Sequence, residues 1–160
     1  MNRRLVLVSM FFAILNVPWL SCSAEAQESQ TAQETEIREA VIRYQIANWD
    51  LHADVYFIEI QSKDPGKDFL NRFANDVTPV KGKSASRRKK DVAGFHVEDR
   101  QTKKRGVVFG QESIIWKDGS TVAVEGGYYC ASLCMASGVY HLKKHDGRWG
   151  VAEFKINIQS

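Results

Sequence analysis

Two Asp-Gly dipeptides constrain the fold of the C-terminal half of the chain most strongly. Asp118-Gly119 and Asp146-Gly147 each separate two runs rich in β-branched and aromatic residues. Asp-Gly between such runs is typical of a β-hairpin. We therefore predict one hairpin over residues 106–130 and a second over residues 138–158. In the last strand the apolar positions change parity after Val151, which predicts a β-bulge near Ala152-Glu153.

A helix and a strand are predicted before the hairpins. Ile37, Val41 and Tyr44 recur at helical spacing and predict an amphipathic helix that ends near Trp49. Residues 55–60 are rich in β-branched and aromatic side chains, which favours a buried strand.

The middle of the chain is predicted to be less regular. Residues 67–75 place apolar side chains at helical spacing and predict a short helix, whereas residues 78–91 have no apolar pattern and predict a loop. Helices followed by a run of strands are typical of an α+β domain. We expect one such domain over residues 35–160, with the N-terminal amphipathic helix packed on a curved antiparallel sheet. Residues 27–34 are polar and are predicted to be a disordered linker.

The first residues have the pattern of a secretory signal peptide. Residues 1–26 contain two arginines, an apolar stretch over 5–20 and the small-x-small sequence Ala24-Glu25-Ala26, so we predict cleavage after Ala26 and export to the periplasm or the medium. No transmembrane helix is expected after cleavage. Lipid attachment at Cys22 is the alternative. The composition, 44% hydrophobic and 26% charged with three cysteines, excludes collagenous, low-complexity and disulfide-dense chains.

Two cysteines remain after the predicted cleavage. A straight strand would place Cys130 and Cys134 about 13 Å apart, while a disulfide needs Cα atoms within about 7 Å. A bridge therefore requires a turn at residues 131–133. We favour a local disulfide between Cys130 and Cys134, with two buried free thiols as the alternative. A metal site has little support because no second Cys or His pair has suitable spacing.

The C-terminal half resembles known folds at short motifs. A first amphipathic helix that ends in Trp, followed by terminal hairpins that close with Gly147-Arg148-Trp149-Gly150-Val151, is similar to the nuclear transport factor 2-like and cystatin-like superfamilies. Gly126-Gly127-Tyr128-Tyr129, Ala136-Ser137-Gly138 and Asp146-Gly147-Arg148-Trp149 resemble motifs of small exported bacterial proteins. The resemblance implies a cone-shaped fold with a pocket between helix and sheet. It carries over no catalytic residue.

Basic residues are concentrated in one segment. Residues 81–105 carry ten Lys and Arg against three acidic side chains. Such local charge could hold a phosphate-rich envelope component, although a solvated loop is the simpler interpretation. Nucleic acid is not expected, because only Phe95 offers a base-stacking ring in the segment. The candidate anion-binding residues are Arg87, Arg88, Lys89, Lys90, Lys103, Lys104 and Arg105.

Residues with possible catalytic or metal-binding chemistry are scattered. Asp50, His52 and Asp54 alternate and could hold a cation if they lay on one strand face. Cys134 with a spatially adjacent histidine could form a thiol nucleophile, which a disulfide would abolish. Sequence shows no partner for His96, His141 or His145. We therefore predict no catalytic residue, no metal and no cofactor.

The main functional hypothesis is an exported, non-enzymatic binding or accessory domain. The aromatic side chains of Tyr44, Trp116, Tyr128 and Tyr140 are either core residues or the lining of a pocket for a small ligand. Two alternatives are a small hydrolase or isomerase that uses the pocket, and a binder of the envelope surface through residues 81–105. The expected partner is an unidentified small molecule or envelope component.

Overall fold

The computed structural model describes residues 21–49, 51–92 and 94–159. These segments contain one long helix, one short helix, a single 3-10 turn at Lys83–Ala85 and eight strands. The helices are α1 (Ser21–Asn48) and α2 (Lys67–Asn71). The strands are β1 (Val55–Ile60), β2 (Val80–Gly82), β3 (Ser86–Asp91), β4 (Gly94–Asp99), β5 (Gly106–Trp116), β6 (Thr121–Ala131), β7 (Cys134–His145) and β8 (Arg148–Gln159).

The helical region begins earlier than the sequence predicts. Because α1 starts at Ser21, residues 27–34, predicted to be a disordered linker, are helical. The predicted end of the helix near Trp49 agrees with the last helical residue, Asn48. Residues 1–20, which carry most of the predicted signal peptide, lie outside the described residues. Within the described segments, no helix combines the length and apolar character needed to cross a membrane.

All eight strands belong to one mixed sheet. The strands β2-β1-β5-β6-β7-β8 lie side by side, and the hairpin of β3 and β4 joins β6 through the pair His96↔Ala131. β1 runs parallel to β5 from Val55↔Gly106 to Ile60↔Gln111, and it is also parallel to β2. Parallel neighbours need a crossover connection; here residues 61–105 supply the one between β1 and β5.

The predicted fold class is therefore wrong. We expected a helix packed on a curved antiparallel sheet in an NTF2-like or cystatin-like cone. The structure is mostly sheet, with one long helix among the described residues and with parallel pairs at the edge formed by β2, β1 and β5. The predicted loop at residues 78–91 is also wrong, because it contains β2 and β3. The two C-terminal hairpins are confirmed. The predicted bulge is confirmed as well, since His141 pairs with Glu153 and Leu142 pairs with Val151, which leaves Ala152 as the extra residue.

Apolar side chains cover both sides of the central strands. On the side that we call the helix face, Ile37 and Val41 of α1 are completely buried against Val122, Val124 and residues of β7. Each such side chain stabilises the fold by about 2 kcal/mol. The predicted apolar stripe of α1 is thus packed against the sheet.

The opposite side, which we call the back face, carries a second core. Val55 and Phe57 of β1 pack there with Val97 of β4 and Val108 of β5. Tyr56 and Ile58 point to the helix face, where they pack with Val107 and Phe109. β1 is therefore buried on both sides, which explains its uninterrupted run of apolar residues.

A line of glycines crosses the middle of the sheet. Gly110 pairs with Gly127, and Gly126 pairs with Gly138; we call these four residues the glycine row. A Cβ atom on Gly127 would lie 2.1 Å from the carbonyl oxygen of Ala136, and one on Gly138 would lie 2.1 Å from that of Lys155. Register shifts lie beside the row in β5 and β7, where bulges increase local bend and twist. The row thus lets the strands approach more closely than side chains would permit.

Candidate anion-binding groove

Tyr140, one of the four predicted pocket aromatics, lies in the centre of the protein. Tyr140 is completely buried, and its hydroxyl accepts a hydrogen bond of 2.9 Å from Nε2 of Gln45. Burial raises the pKa of Tyr140 to about 12. Its ring stacks on Phe154 at 4.2 Å, and the edge of Tyr44 meets it at 6.0 Å. Both predicted ligand residues in this group are packed against other aromatic rings.

The other two predicted aromatics are also placed on the helix face. Trp116 meets Trp149 edge to face at 5.8 Å, and Tyr128 packs on Trp49 at 4.7 Å. None of the four predicted ligand-binding aromatics lines any of the five cavities described for the structure. These rings fill the interior in which a pocket enzyme would need an ionisable pair.

The basic residues of β3 alternate between two environments. Arg87 lies opposite Glu98 of β4, and its Nη2 is 2.6 Å from Oε1 of that carboxylate. Lys89 is exposed and lies opposite His96. Arg105 is exposed, with Nη2 3.6 Å from Oδ2 of Asp91. Acidic side chains of the same hairpin therefore offset much of the charge on this side.

The other side of β3 directs its basic residues to aromatic rings on the back face. The Nε of Arg88 donates to the hydroxyl of Tyr129 at 3.1 Å, and its guanidinium carbon lies 4.8 Å from the centre of that ring. The same guanidinium carbon is 5.4 Å from the ring of Phe95. Lys90 extends over Phe95, with its ammonium 5.9 Å from the ring centre. These contacts hold Arg88 by hydrogen bonding and cation–π attraction.

A surface groove runs beside Arg88. We call it the cationic groove; its volume is about 640 Å³, and five basic side chains but only two carboxylates line it. The basic residues are Lys63, Lys83, Arg87, Arg88 and Arg100; the carboxylates are Glu59 and Asp64; the remaining lining residues are Ser62, Ser84 and Ser86.

Local hydrogen bonds fix the walls of the cationic groove. Lys83 is paired with Glu59, and Asp64 accepts hydrogen bonds from the backbone nitrogen and the hydroxyl of Ser84. The Nε of Arg100 donates to the carbonyl oxygens of Ser84 and Ser86 at 2.9 and 2.8 Å. Both carboxylates of the groove are therefore already occupied by groups of the protein.

Asp99 anchors the turn that presents Arg100. This nearly buried carboxylate lies 2.7 Å from Nζ of Lys81 and accepts hydrogen bonds from the backbone nitrogens of Gln101 and Thr102 at 2.9 and 2.7 Å. The Lys81 ammonium, followed by these backbone donors, holds the pKa of Asp99 well below its usual range. The position of Arg100 thus depends on a partly buried ion pair between Lys81 and Asp99.

An apolar recess adjoins the cationic groove. It has a volume of about 250 Å³ and shares Glu59, Lys83, Ser86 and Arg88 with the groove. Its other lining residues are Val97, Val108 and Tyr129. A charged wall and an apolar floor therefore lie side by side on the back face.

The remaining predicted anion-binding residues lie outside the cationic groove. Lys103 donates to the carbonyl oxygen of Arg100, and Lys104 is exposed. Lys89, Lys90 and Arg105 do not line the groove either. Sequence reasoning thus included Arg87 and Arg88 among its candidates, but it missed Tyr129, whose parity in β6 places it on the back face opposite Tyr128.

Two arrangements weighed in the sequence were a cation site at residues 50–54 and a thiol nucleophile at Cys134. His52 and Asp54 line an open cavity of about 520 Å³ after α1, while Asp50 lies outside the described residues. No group of three or more His, Cys, Asp or Glu in the described segments is placed to hold a metal. Cys134 is bridged to Cys130 across the β6–β7 turn with a Cα separation of 5.3 Å, so the thiol hypothesis is wrong and the disulfide is confirmed.

Two of the histidines, His96 and His145, lie beside carboxylates. His96 lies between two carboxylates, with Nδ1 2.9 Å from Asp91 and Nε2 3.5 Å from Glu98. His145 is exposed beside Asp146. His141 lies on β7 with the parity opposite to Tyr140 and Leu142, as the alternation predicts.

No protein-family model, no curated protein and no solved structure matches the chain. The resemblance to nuclear transport factor 2-like and cystatin-like proteins stays a sequence prediction.

Proposed function

We propose that the chain is an exported, non-enzymatic binding domain that holds a phosphate group in the cationic groove. The observation that carries the proposal is the environment of Arg88. Among the described residues this arginine makes no ion pair with a carboxylate, although Arg87 on the same strand does. An arginine held in place without an acidic partner is suited to an external oxyanion.

The chemistry of Arg88 supports phosphate as the ligand group. A guanidinium carries five N–H donors in a planar fork and binds phosphate oxygens in pairs. Tyr129 takes the donor at Nε, which leaves the two terminal amino groups for a ligand. Lys63 and Arg100 line the same groove and add favourable potential for an anion.

The proposal includes export of the protein from the cytoplasm. The signal-peptide pattern of residues 1–26 and the disulfide between Cys130 and Cys134 support an oxidising environment. An envelope or extracellular location would give the domain access to phosphate-bearing molecules of that environment.

Titration with inorganic phosphate at low salt tests the proposed function. We expect phosphate to raise the melting temperature, because a ligand that binds only the native state stabilises it. Arg88→Gln should abolish most of this shift, whereas Lys117→Gln, which removes an exposed charge at the β5–β6 turn, should leave it unchanged. Equal phosphate responses in the two variants would contradict the proposal.

A further inference from the structure

We infer that the phosphate ligand is a small amphipathic ester, with its phosphate in the cationic groove and an aryl or short alkyl group in the apolar recess. This inference rests on the proposed function and adds the class of ligand. Its basis is the continuity of the two cavities, which share Glu59, Lys83, Ser86 and Arg88.

The lining changes character across the shared boundary. On one side lie Arg87, Arg100 and Lys63. On the other lie Val97, Val108 and the ring of Tyr129. A ligand that spans the boundary would place opposite ends in a charged and an apolar environment, which a plain phosphate ion cannot use.

Arg88 and Tyr129 form the junction between the two parts. The hydrogen bond between Nε and the tyrosine hydroxyl, at 3.1 Å, fixes the guanidinium against the ring. The terminal amino groups can then bind a phosphate, while the ester substituent continues past the ring toward Val108. An amphipathic ester matches this order of contacts.

The size of the apolar recess limits the ester substituent. An engineered apolar cavity of about 150 Å³ accommodates benzene, so a recess of about 250 Å³ has room for one aromatic ring or a short alkyl group. A long acyl chain or a polymer would extend beyond it. The geometry therefore favours a single small molecule over a lipid surface.

The experiment compares phenyl phosphate with inorganic phosphate by isothermal titration calorimetry on the full chain. We expect phenyl phosphate to bind roughly tenfold more tightly or better, as burial of about two methylene-sized groups implies. Anionic vesicles that contain phosphatidic acid provide a further comparison. We expect the protein to bind these vesicles more weakly than it binds phenyl phosphate.

A matched pair of variants locates the apolar contribution. Val108→Thr adds a hydroxyl in the apolar recess and should remove most of the preference for phenyl phosphate while inorganic phosphate still binds, which also reports an intact fold. Val139→Thr makes the same change on β7, outside the recess, and should keep the preference.

The outcomes separate the inference from the proposed function. Equal affinity for the two phosphates, or a preference that persists in Val108→Thr, would overturn the amphipathic ligand and leave anion binding in place. Binding to vesicles without binding to phenyl phosphate would also overturn it. Failure of every phosphate compound to bind would refute the proposed function itself.

Discussion

Asp99 shows how one residue can control the geometry of a surface site. Its carboxylate is almost completely buried and contacts the ammonium of Lys81 and two backbone nitrogens of the turn that follows β4. Each of these contacts favours the charged form, so the pKa of Asp99 lies well below its usual value of 3.8. Folding is therefore linked to the ionisation of this group.

The linkage predicts acid sensitivity from Asp99. A carboxyl group with a depressed pKa in the folded state stabilises the protein above the unfolded pKa, and this contribution is lost as the pH falls from about 4 toward the folded pKa. Asp99→Asn should lower the melting temperature at pH 7, and its difference from the parent should shrink below about pH 4. Thermal denaturation between pH 2 and pH 7 measures this. Asp68→Asn, which removes an exposed carboxylate of α2, serves as the control and should show no comparable convergence.

At the scale of elements, the glycine row makes the central strands intolerant of side chains. Gly138→Ala would place a methyl group 2.1 Å from the carbonyl oxygen of Lys155, and backbone cannot move away as a flexible side chain can. We expect a loss of about 1–3 kcal/mol or more in the free energy of unfolding, measured by urea denaturation.

Gly110 provides a control within the same row. A Cβ atom there meets nothing within 4 Å. Gly110→Ala should therefore be neutral, or should stabilise the protein by up to about 1 kcal/mol because it lowers the conformational entropy of the unfolded chain. Equal destabilisation by the two substitutions would show that crowding at the row is not the cause.

The elements that sequence could predict are those with local signals. Asp118-Gly119 and Asp146-Gly147 mark turns between adjacent strands, and the stripe of Ile37 and Val41 marks a helix. β3 has no apolar residue, and its strand conformation depends on a six-residue ladder with β4 and on contacts to Tyr129. Parallel pairing of β1 joins segments distant in the chain, which no local pattern encodes.

The candidate site was predicted only in part for the same reason. Charge alone identified residues 81–105, including Arg87 and Arg88. Arg87 contacts an acidic side chain and Arg88 contacts an aromatic ring because successive residues of a strand point to opposite sides. This alternation cannot be applied to a segment that is predicted to be a loop. Tyr129 lies in the site because β4 pairs with β6, and the sequence does not indicate this pairing.

For the whole molecule, the disulfide closes the β6–β7 turn, and this turn contacts the hairpin that carries Arg88. The turn residue Ser132 donates its backbone nitrogen to Phe95 O at 2.8 Å, and its hydroxyl accepts from Phe95 N at 2.8 Å. Next to it, Ala131 pairs with His96. The bridge between Cys130 and Cys134 thus restrains the point where β4 meets the main sheet.

Loss of this bridge should affect stability and binding together. In the chain-entropy model, closing so short a loop contributes about 2 kcal/mol, so the double variant Cys130→Ser/Cys134→Ser should unfold at lower urea concentration. Amide hydrogen exchange at Phe95 should accelerate and phosphate affinity should fall. Exchange at Lys144, whose nitrogen donates to Ser120 far from the bridge, should change no more than global stability requires; uniform acceleration at both amides would contradict a local role.

The burial of β1 and β5 on both faces has a consequence for recognition. Val108 belongs to the recess, while its neighbours Val107 and Phe109 point into the opposite core. The floor of the recess is thus formed by a strand whose other side packs in the protein core, so its shape is set by folding before a ligand binds. Little ordering is left for ligand binding to supply, and changing the shape of that floor by mutation would disturb the packing of Val108 with Val55, Phe57 and Val97 on the back face.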